Sequence, residues 1–527
     1  MSVIDLLLQH SPALIVAVPL LGAFLTPLVS RINDKLRNIF VIAILGITGL
    51  LITLLASDVL ANGIHTYIFG AKDLALPVVR ILFEVDALSV FMAMIAAVLS
   101  FVAVIYSWSF MKENTGLDKF YTLVLLMTAG MLGMMLTGDL FNFFVFLEIT
   151  SIASCALIAF WTHKGESVEA AFKYIVISAI GALFVLFAIA LLYGQYNALN
   201  IATIANVLQY TFLDKIALVI LIAALAMKAG VVPMHMWLPD AYGRAPAPVT
   251  LILVGATQAS LYGVLRVVFT LYGNVFNNIV FTSNVIGGFI AVLAIVTMLI
   301  GVVMALRQSN FKRLIAYVAV AEIGYMLLGI GVRLHATYIN ESTQAITFPA
   351  YGMTALQGSI FHIMNDALDV GLLFLVAGAV YYATKETSLD KLGGLARNMK
   401  YTTIFFLIGL LAVAGMPPMN GFVSKLLIYE STYQANPIFA IIAILTSIML
   451  LAVFVKVFHS VFLGPALPKF EKVKEVPKSM LLAMGIIAGI IIFFGLFPEI
   501  VISNLVEPAA NAILNNTQYI SAAIGGI

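Results

Sequence analysis

The sequence contains a single cysteine, Cys155, among its 527 residues. One thiol cannot form a disulfide within the chain, and alone it cannot hold an iron–sulfur cluster or a structural zinc ion. The sequence also lacks a Walker loop, a dinucleotide-binding fingerprint and a nucleophile elbow. We therefore expect no cofactor and no chemical active site in this chain, and any associated redox chemistry has to reside on other chains.

Charged residues are scarce as well, at 10% of the chain, and no basic block suggests a nucleic-acid partner. Apolar residues make up 62% of the sequence, and its mean hydropathy is +1.09. This composition excludes an ordinary water-soluble domain. Apolar runs of about 20 residues, long enough to cross the hydrocarbon core of a bilayer, recur from end to end.

These runs predict an all-α polytopic membrane protein of about fourteen transmembrane helices in the lipid bilayer. The predicted spans lie near residues 11–30, 38–58, 86–110, 119–137, 140–160, 169–193, 213–230, 247–272, 284–306, 312–332, 355–383, 401–415 with 420–433, 437–463 and 480–498.

The loop charges predict the orientation, because cytoplasmic loops carry the excess of Lys and Arg. Loops after odd-numbered spans hold eighteen Lys and Arg residues, whereas loops after even-numbered spans hold four, Lys72, Arg80, Lys215 and Arg333. We therefore expect the odd-numbered loops in the cytoplasm and both termini outside it.

Prolines interrupt two of the spans close to a lysine. In span seven Lys228 precedes Pro233, and in span twelve Pro417 and Pro418 precede Lys425. Proline removes a backbone donor and clashes with the preceding turn, so both helices should be broken. Broken helices at membrane depth persist only where they are buried in protein or line a wet cavity.

Spans seven and twelve are each the fourth member of a set of five, spans four to eight and spans nine to thirteen. Sets with an odd number of spans have opposite orientations, which is the pattern of an inverted repeat with its site at the broken helices. This predicts an N-terminal three-helix segment (1–112), a first half-channel (113–272), a second half-channel (284–463), and a C-terminal span with its tail (464–527).

Several stretches together resemble the antiporter-like subunits of respiratory complex I, of multisubunit cation/proton (Mrp-type) antiporters, and of energy-converting membrane-bound hydrogenases. The lysine in span twelve makes the chain most similar to the D-type antiporter subunit. The stretches that carry the resemblance are FEVDALSVF (83–91), GDLFNFFVFLEITSIASCALI (138–158), AAFKYIVI (170–177), AMKAGVVPMHMWLPDAYGRAPAPV (226–249), NFKRLIAYVAVAEIGYM (310–326) and AGMPPMNGFVSKLLI (414–428).

The resemblance implies a proton-translocating subunit of a hetero-oligomeric complex in a prokaryotic plasma membrane. It implies other membrane subunits as partners and, in some relatives, a peripheral redox arm that carries iron–sulfur clusters or a nickel–iron centre. The transported ions would be protons, with Na⁺ as an additional candidate.

Carboxylates and lysines inside the membrane are costly and usually functional. Glu148 lies in the middle of span five, and the resemblance makes it the glutamate on the intake side; a structural ion pair is the alternative. Lys173 is its expected partner. Lys228 is the strongest candidate for proton exchange, since desolvation disfavours the charged form of a lysine. The alternative for Lys228 is a cation that satisfies carbonyl groups at the helix break.

The resemblance implies that Lys425 is the terminal proton site on the exit side, although it would otherwise fit near a helix end with its ammonium at the interface. In span eleven, His362, Asp366 and Asp369 follow the i, i+4, i+7 spacing of one helical face. Such a stripe suits a proton relay. Relatives often have histidine and lysine where the two aspartates stand, and a cation site made of both carboxylates remains open, with Na⁺ as its occupant.

We assign three further polar residues to the central axis or its surroundings. Gln258 replaces a lysine or histidine of relatives and cannot titrate, so the central connection is either bridged by water or interrupted. Glu322 either bonds within the bundle or extends the axis. His235 lies on the broken span seven, so its direction cannot be inferred from its spacing.

Three functions are compatible with these features. The preferred one is proton translocation by a subunit that obtains its energy from redox chemistry elsewhere or from a sodium gradient. A self-sufficient secondary cation transporter also suits inverted repeats and broken helices. A structural membrane anchor of a redox complex would transport nothing.

Overall fold

The protein is described by a computed structural model that covers residues 3–69, 81–339 and 346–525; the loop cations Lys72 and Arg80 lie outside these residues. Its helices are α1 (Val3–Ile32), α2 (Asp34–Asn62), α3 (Ala87–Phe110), α4 (Leu117–Leu136), α5 (Leu140–Ile158), α6 (Gly165–Tyr196), α7 (Ile201–Val207), α8 (Phe212–Ala229), α9 (Trp237–Arg244), α10 (Ala247–Leu265), α11 (Gly273–Asn278), α12 (Val280–Leu306), α13 (Phe311–His335), α14 (Ala350–Thr384), α15 (Lys400–Val413), α16 (Asn420–Ala435), α17 (Pro437–Val457), α18 (Lys478–Leu496), α19 (Pro498–Val501), α20 (Glu507–Leu514) and α21 (Asn516–Gly525).

The prediction of a helical multi-pass membrane protein is confirmed. Twelve helices of the described residues are long and apolar enough to cross a membrane. They are α1 to α6, α10 with its π-helical extension Arg266–Leu271, α12, α13, α14, α17 with its π-helical extension Phe458–Leu463, and α18. Of the other two predicted spans, 213–230 coincides with α8, with the short α9 lying beyond it, and 401–415 with 420–433 coincides with the pair α15–α16. The count of fourteen spans, the inverted repeat and the four-segment division stay predictions.

In the part of the chain that the structure describes, two pairs of short antiparallel strands accompany the helices, and the hydropathy pattern did not indicate them. Strand β1 (His65–Ile68) pairs antiparallel with β2 (Leu82–Val85), with His65 opposite Val85. Strand β3 (Tyr338–Ile339) pairs with β4 (Ile346–Thr347) in the same sense. Each pair of strands precedes a long helix, α3 or α14.

The centre of the bundle is formed by α10, α13 and α14. The most apolar segments of α13 and α14 are entirely buried, whereas fewer than half of the residues in those of α1, α2, α6 and α17 are buried. Helix α14 packs against α10 on one side and against α13, α15 and α16 on the other. The side chains of α14 therefore contact the helices of both predicted half-channels.

The two helix breaks have the same backbone design. Gly230 ends α8 and Gly415 follows α15, and both have a left-handed φ, +86° and +68°, which glycine adopts without a steric penalty. In each case the next residue donates its N–H to a carbonyl five residues back, Val231 to Ala226 and Met416 to Leu411. This hydrogen bond is typical of a Schellman helix end, so both half-helices end before the prolines.

Asp139 begins α5 as its N-cap. Its carboxylate accepts a hydrogen bond of 2.7 Å from the backbone N–H of Asn142, yet the residue is only 3% exposed. Burial raises the pKa of this carboxyl from 3.8 to about 6, against the opposing effect of backbone N–H groups at Asn142 and Phe141. The folded protein therefore binds this proton more tightly than the unfolded chain does.

We expect Asp139→Asn to stabilise the protein at pH 7 and to make little difference at pH 4. Between these values the unfolded carboxyl ionises before the folded one, so the parent loses stability as pH rises, whereas the neutral amide keeps the cap without this loss. The gain at pH 7 should reach at most about 3 kcal/mol. Thermal unfolding in detergent measures it.

Asp139→Ala serves as the control at pH 4, where loss of the cap alone should cost about 1 kcal/mol. A stability difference between Asp139→Asn and the parent that is the same at pH 4 and pH 7 would contradict the assignment.

Candidate proton pathway

Lys228 lies in the last turn of α8, directly before the first helix break, and is only 7% exposed. Its ammonium donates hydrogen bonds to the hydroxyls of Ser151 (2.8 Å) and Ser178 (3.0 Å). The backbone carbonyl of Met227 at the break is instead satisfied by the indole N–H of Trp237, at 3.0 Å. Lys228 therefore points into the bundle rather than capping the broken helix.

Glu148, on α5, is the carboxylate next to Lys228. Its Oε1 lies 3.7 Å from Lys228 Nζ, beyond hydrogen-bond distance, and its side chain is 30% exposed at the edge of the protein. Two groups at this distance attract each other without being locked together. The pair can therefore tighten or loosen with a small movement of either side chain.

The prediction that Lys173 pairs with Glu148 is wrong. Lys173 is 46% exposed and forms ion pairs with Glu169, at 2.7 Å, and with Asp240 of α9, at 2.9 Å. Lys173 lies five residues before Ser178 on α6, which is more than one helical turn. Its ammonium therefore contacts Glu169 and Asp240 and does not reach the Lys228 site. The sequence order alone did not reveal the acidic partner on α9.

A small cavity adjoins Lys228 on the side that faces α10. It has a volume of about 20 Å³ and is lined by Ser151, Ser178, Lys228, Thr257 and Ser260, among others. This volume is sufficient for one water molecule, and its hydroxyl and ammonium groups provide hydrogen-bond partners for it. Since Gln258 lies between Thr257 and Ser260 on α10, the cavity leads towards the centre of the bundle.

Gln258 and Asp366 make the connection at the centre. The amide of Gln258 donates a hydrogen bond of 2.6 Å to Asp366 Oδ2, and both residues are buried. Gln258 Oε1 and Asp366 Oδ1 have no hydrogen-bond partner among the described residues. Because such atoms are costly when dry, we expect water at this junction. A hydrogen bond between Gln258 and Asp366 thus joins α10 to α14, but the Gln258 amide cannot titrate.

A network of amides and hydroxyls continues along α14. Asn420, at the start of α16, donates to Asp369 Oδ1 and to Asn365, both at 3.0 Å. Asn365 donates to Ser424 Oγ at 2.9 Å, and Ser424 lies 3.1 Å from His362 Nδ1. The predicted stripe is therefore divided. Asp369 and His362 belong to this network, whereas Asp366 bonds Gln258 and no member of the network among the described residues, so the relay stays a prediction.

The stripe ends at a buried triad of Glu322, Lys425 and His362, each 1% exposed at its side chain. Glu322 Oε1 accepts a hydrogen bond from Lys425 Nζ at 2.9 Å, and its Oε2 lies 2.8 Å from His362 Nε2. Lys425 also donates to the carbonyl of Val413, the last residue of α15, at 2.6 Å. Lys425 is thus not at the membrane interface, and Glu322 belongs to its site.

His235 lies inside the first break and is buried. Its Nδ1 is 3.3 Å from the carbonyl oxygen of Pro233 in the same loop. Its ring therefore contacts the break that contains it, and the central-axis role assigned to it stays a prediction.

Sequence reasoning missed the small polar residues that link the titratable ones. They are Ser151 and Ser178 around Lys228, and Asn365, Asn420 and Ser424 around the triad. For Ser151, Asn365 and Ser424 the available signal was a position next to, or one turn from, a charged residue in a predicted span, whereas Ser178 and Asn420 had no such signal. In the described residues, no group of three or more His, Cys, Asp or Glu side chains is arranged to hold a metal ion.

Comparison with known proteins identifies two matching family descriptions. Residues 137–451 match "NADH:quinone oxidoreductase/Mrp antiporter, TM", and residues 78–121 match the N-terminus of chain 5 of NADH-ubiquinone oxidoreductase (complex I). Both the Lys228 site and the triad fall within the first match.

Full-length relatives show the same similarity. The N subunit of the NADH-quinone oxidoreductase of Desulforudis audaxviator is 30% identical over 522 residues, which cover 95% of this chain and 98% of the relative. The D subunit of the Na(+)/H(+) antiporter of Alkalihalophilus pseudofirmus is 29% identical over 511 residues, 96% and 97% of the two chains. Among solved structures, a chain of an archaeal membrane-bound sulfane sulfur reductase is 26% identical, with a TM-score of 0.83 over 97% of this chain and 99% of that one.

We expect Glu322→Gln to destabilise the protein by about 3–5 kcal/mol, because it leaves Lys425 buried beside a neutral amide. Adding Lys425→Met should recover most of this loss, since the double variant buries no unpaired charge. Thermal unfolding of the purified variants measures both effects.

Glu148→Gln is the matched control for this pair. Because Glu148 is partly exposed, lies 3.7 Å from Lys228 and leaves it the hydroxyls of Ser151 and Ser178, its replacement should cost less than Glu322→Gln, about 1–2 kcal/mol. Equal losses for the two glutamine variants would show that the triad is not held by its charges.

Proposed function

Because this chain belongs to the NADH:quinone oxidoreductase/Mrp antiporter transmembrane family, we propose that it translocates protons as one subunit of a larger membrane complex. The observation that carries the proposal is the repeated pairing of a buried lysine with a glutamate. Lys228, in the last turn of α8, lies beside Glu148. Lys425 pairs with Glu322 and donates a hydrogen bond to the carbonyl at the end of α15. Small polar side chains lie between the two sites in three hydrogen-bonded groups, and water would have to bridge the gaps between these groups.

The geometry supports a stepwise transfer. Glu148 is the partly exposed member and takes up a proton from the edge of the protein. When its charge is neutralised, Lys228 loses its counter-charge and more readily gives a proton to the adjoining water-sized cavity. The proton then passes by Gln258 and Asp366 to the α14 network, and the triad of His362, Glu322 and Lys425 receives it.

The wider assignment rests on the relatives. Since the two full-length relatives are named as parts of an oxidoreductase and of an antiporter, we propose other membrane subunits as partners, with Na⁺ or a peripheral redox arm as the energy source. In the second case iron–sulfur clusters or a nickel–iron centre would lie on partner subunits. The family supports a location in a prokaryotic plasma membrane, and the loop charges support both termini outside the cytoplasm.

Lys228→Ala should reduce proton translocation on the order of a hundredfold, the scale of losing a positioned proton-transfer group. The measurement is proton uptake into liposomes that contain the purified complex, with the stoichiometry of its subunits checked by gel. Lys456→Ala is the matched control, because this exposed lysine bonds only the carbonyls of Leu306 and Gln308 among the described residues.

Two outcomes would contradict the proposal. Unchanged proton movement by an intact Lys228→Ala complex would favour a structural anchor. Full transport by this chain alone in liposomes would favour a self-sufficient transporter.

Gln258 provides a separate test of the central connection. Gln258→Leu removes the amide donor to Asp366, so we expect at least a tenfold loss of proton flux, on the scale of a lost relay group. Gln258→His keeps a donor and adds a titratable group, and it should retain the flux. If Gln258→Leu transports normally in the same liposome assay, the two halves do not communicate through this residue.

A further inference from the structure

A second cavity, of about 270 Å³, lies apart from the proton pathway. It is enclosed by the loop after α5, the end of α9, the start of α13 and the end of α14. Four cations line it, Lys164, Arg244, Lys312 and Lys385, against one carboxylate, Glu166. Arg244 and Glu166 pair with each other, so the three lysines decide the net charge of the cavity.

Two of the lysines, Lys164 and Lys312, are held by neutral groups alone, whereas the exposed Lys385 lies 5.2 Å from the Tyr382 ring. Lys312, only 7% exposed, donates to the carbonyl of Ala245 and to Thr250 Oγ1, which leaves one of its three donors free. Lys164 donates to the Tyr381 hydroxyl at 2.9 Å and lies 4.0 Å above the Trp161 ring. No carboxylate among the described residues forms an ion pair with Lys164, Lys312 or Lys385.

Uncompensated positive charge in a partly buried cavity is unfavourable unless an anion enters. Lysine ammonium groups and an arginine suit a phosphate, which offers several acceptor oxygens at once. The aromatic rings of Trp161 and Tyr381 beside the ammonium groups are typical of the membrane–water interface. All four cations also belong to the loops that the sequence assigns to the cytoplasmic side, where anionic lipids attract basic residues.

We propose that this cavity binds a phosphate group. Two sources share this chemistry, the headgroup of an anionic phospholipid and free inorganic phosphate. The site lies where α9 of the first predicted half-channel meets α13 and α14 of the second, so its occupant would hold these three elements together. The inference does not depend on the proposed proton transport.

The experiment uses the full chain purified with its co-assembling subunits and stripped of lipid by detergent exchange. Thermal unfolding is followed against phosphatidylglycerol, against phosphatidylcholine as the zwitterionic control, and against sodium phosphate compared with sodium chloride at equal ionic strength. Stabilisation by phosphatidylglycerol alone identifies a lipid headgroup site, and stabilisation by sodium phosphate as well identifies a site for the free ion.

Lys164→Gln combined with Lys385→Gln should weaken the apparent affinity for the stabilising ligand by roughly thirtyfold, the scale of removing two lysines near an anionic surface. Lys472→Gln combined with Lys474→Gln is the matched control, because it removes the same charge from exposed positions outside the cavity. Lys164→Arg combined with Lys385→Arg keeps the charge and should retain binding, which separates loss of the site from loss of the fold.

The proposal is overturned if neither phosphate source stabilises the parent more than its control does. It is also overturned if the cavity variant and the Lys472/Lys474 variant lose affinity equally.

Discussion

A charge buried inside a membrane bundle is costly unless a counter-charge or hydrogen-bond partners satisfy it, because lipid offers neither water nor counter-ions. The described structure obeys this constraint in several places. Lys425 has Glu322 on one side and a helix-end carbonyl on the other, and Arg266 is paired with Asp86 where the end of α10 meets α3. Charge matching therefore determines which helices must touch, and the apolar packing of α10, α13 and α14 surrounds these contacts.

The two lysine–glutamate sites satisfy the constraint to different degrees. Lys425 and Glu322 are almost completely buried, and His362 lies against the second carboxylate oxygen, so both charges are compensated at short distance. Lys228 and Glu148 are separated by 3.7 Å, and the glutamate is partly exposed. The looser site is the one whose pairing can change at low cost, whereas the tighter site retains its charges. The proposed pathway would begin at the looser site and end at the tighter one, where His362, beside the ion pair, is the group that can exchange a proton.

Interrupted helices bring helix C-terminal ends next to these buried lysines. A continuous helix satisfies its own backbone and offers a buried ammonium nothing but side chains. Ending α8 and α15 with the same glycine-dependent turn frees carbonyls and places the C-terminal ends of two half-helices inside the bundle, where cations are favoured. Lys425 uses this directly through Val413, whereas Lys228 uses serine hydroxyls and leaves the freed carbonyl of Met227 to Trp237.

The sequence by itself determined the class of protein, most span positions, both helix breaks and the identity of the charged residues, because membrane insertion and proline act locally along the chain. Only the tertiary structure decided the partners. Glu322 and Lys425 are separated by 103 residues and Gln258 and Asp366 by 108, so nothing in their local sequence fixes their distance. Lys173 shows both cases, since its partner Glu169 lies four residues earlier on the same helix whereas its second partner, Asp240, comes from α9. Pairing depends on how the helices pack and rotate, and that is a property of the whole bundle.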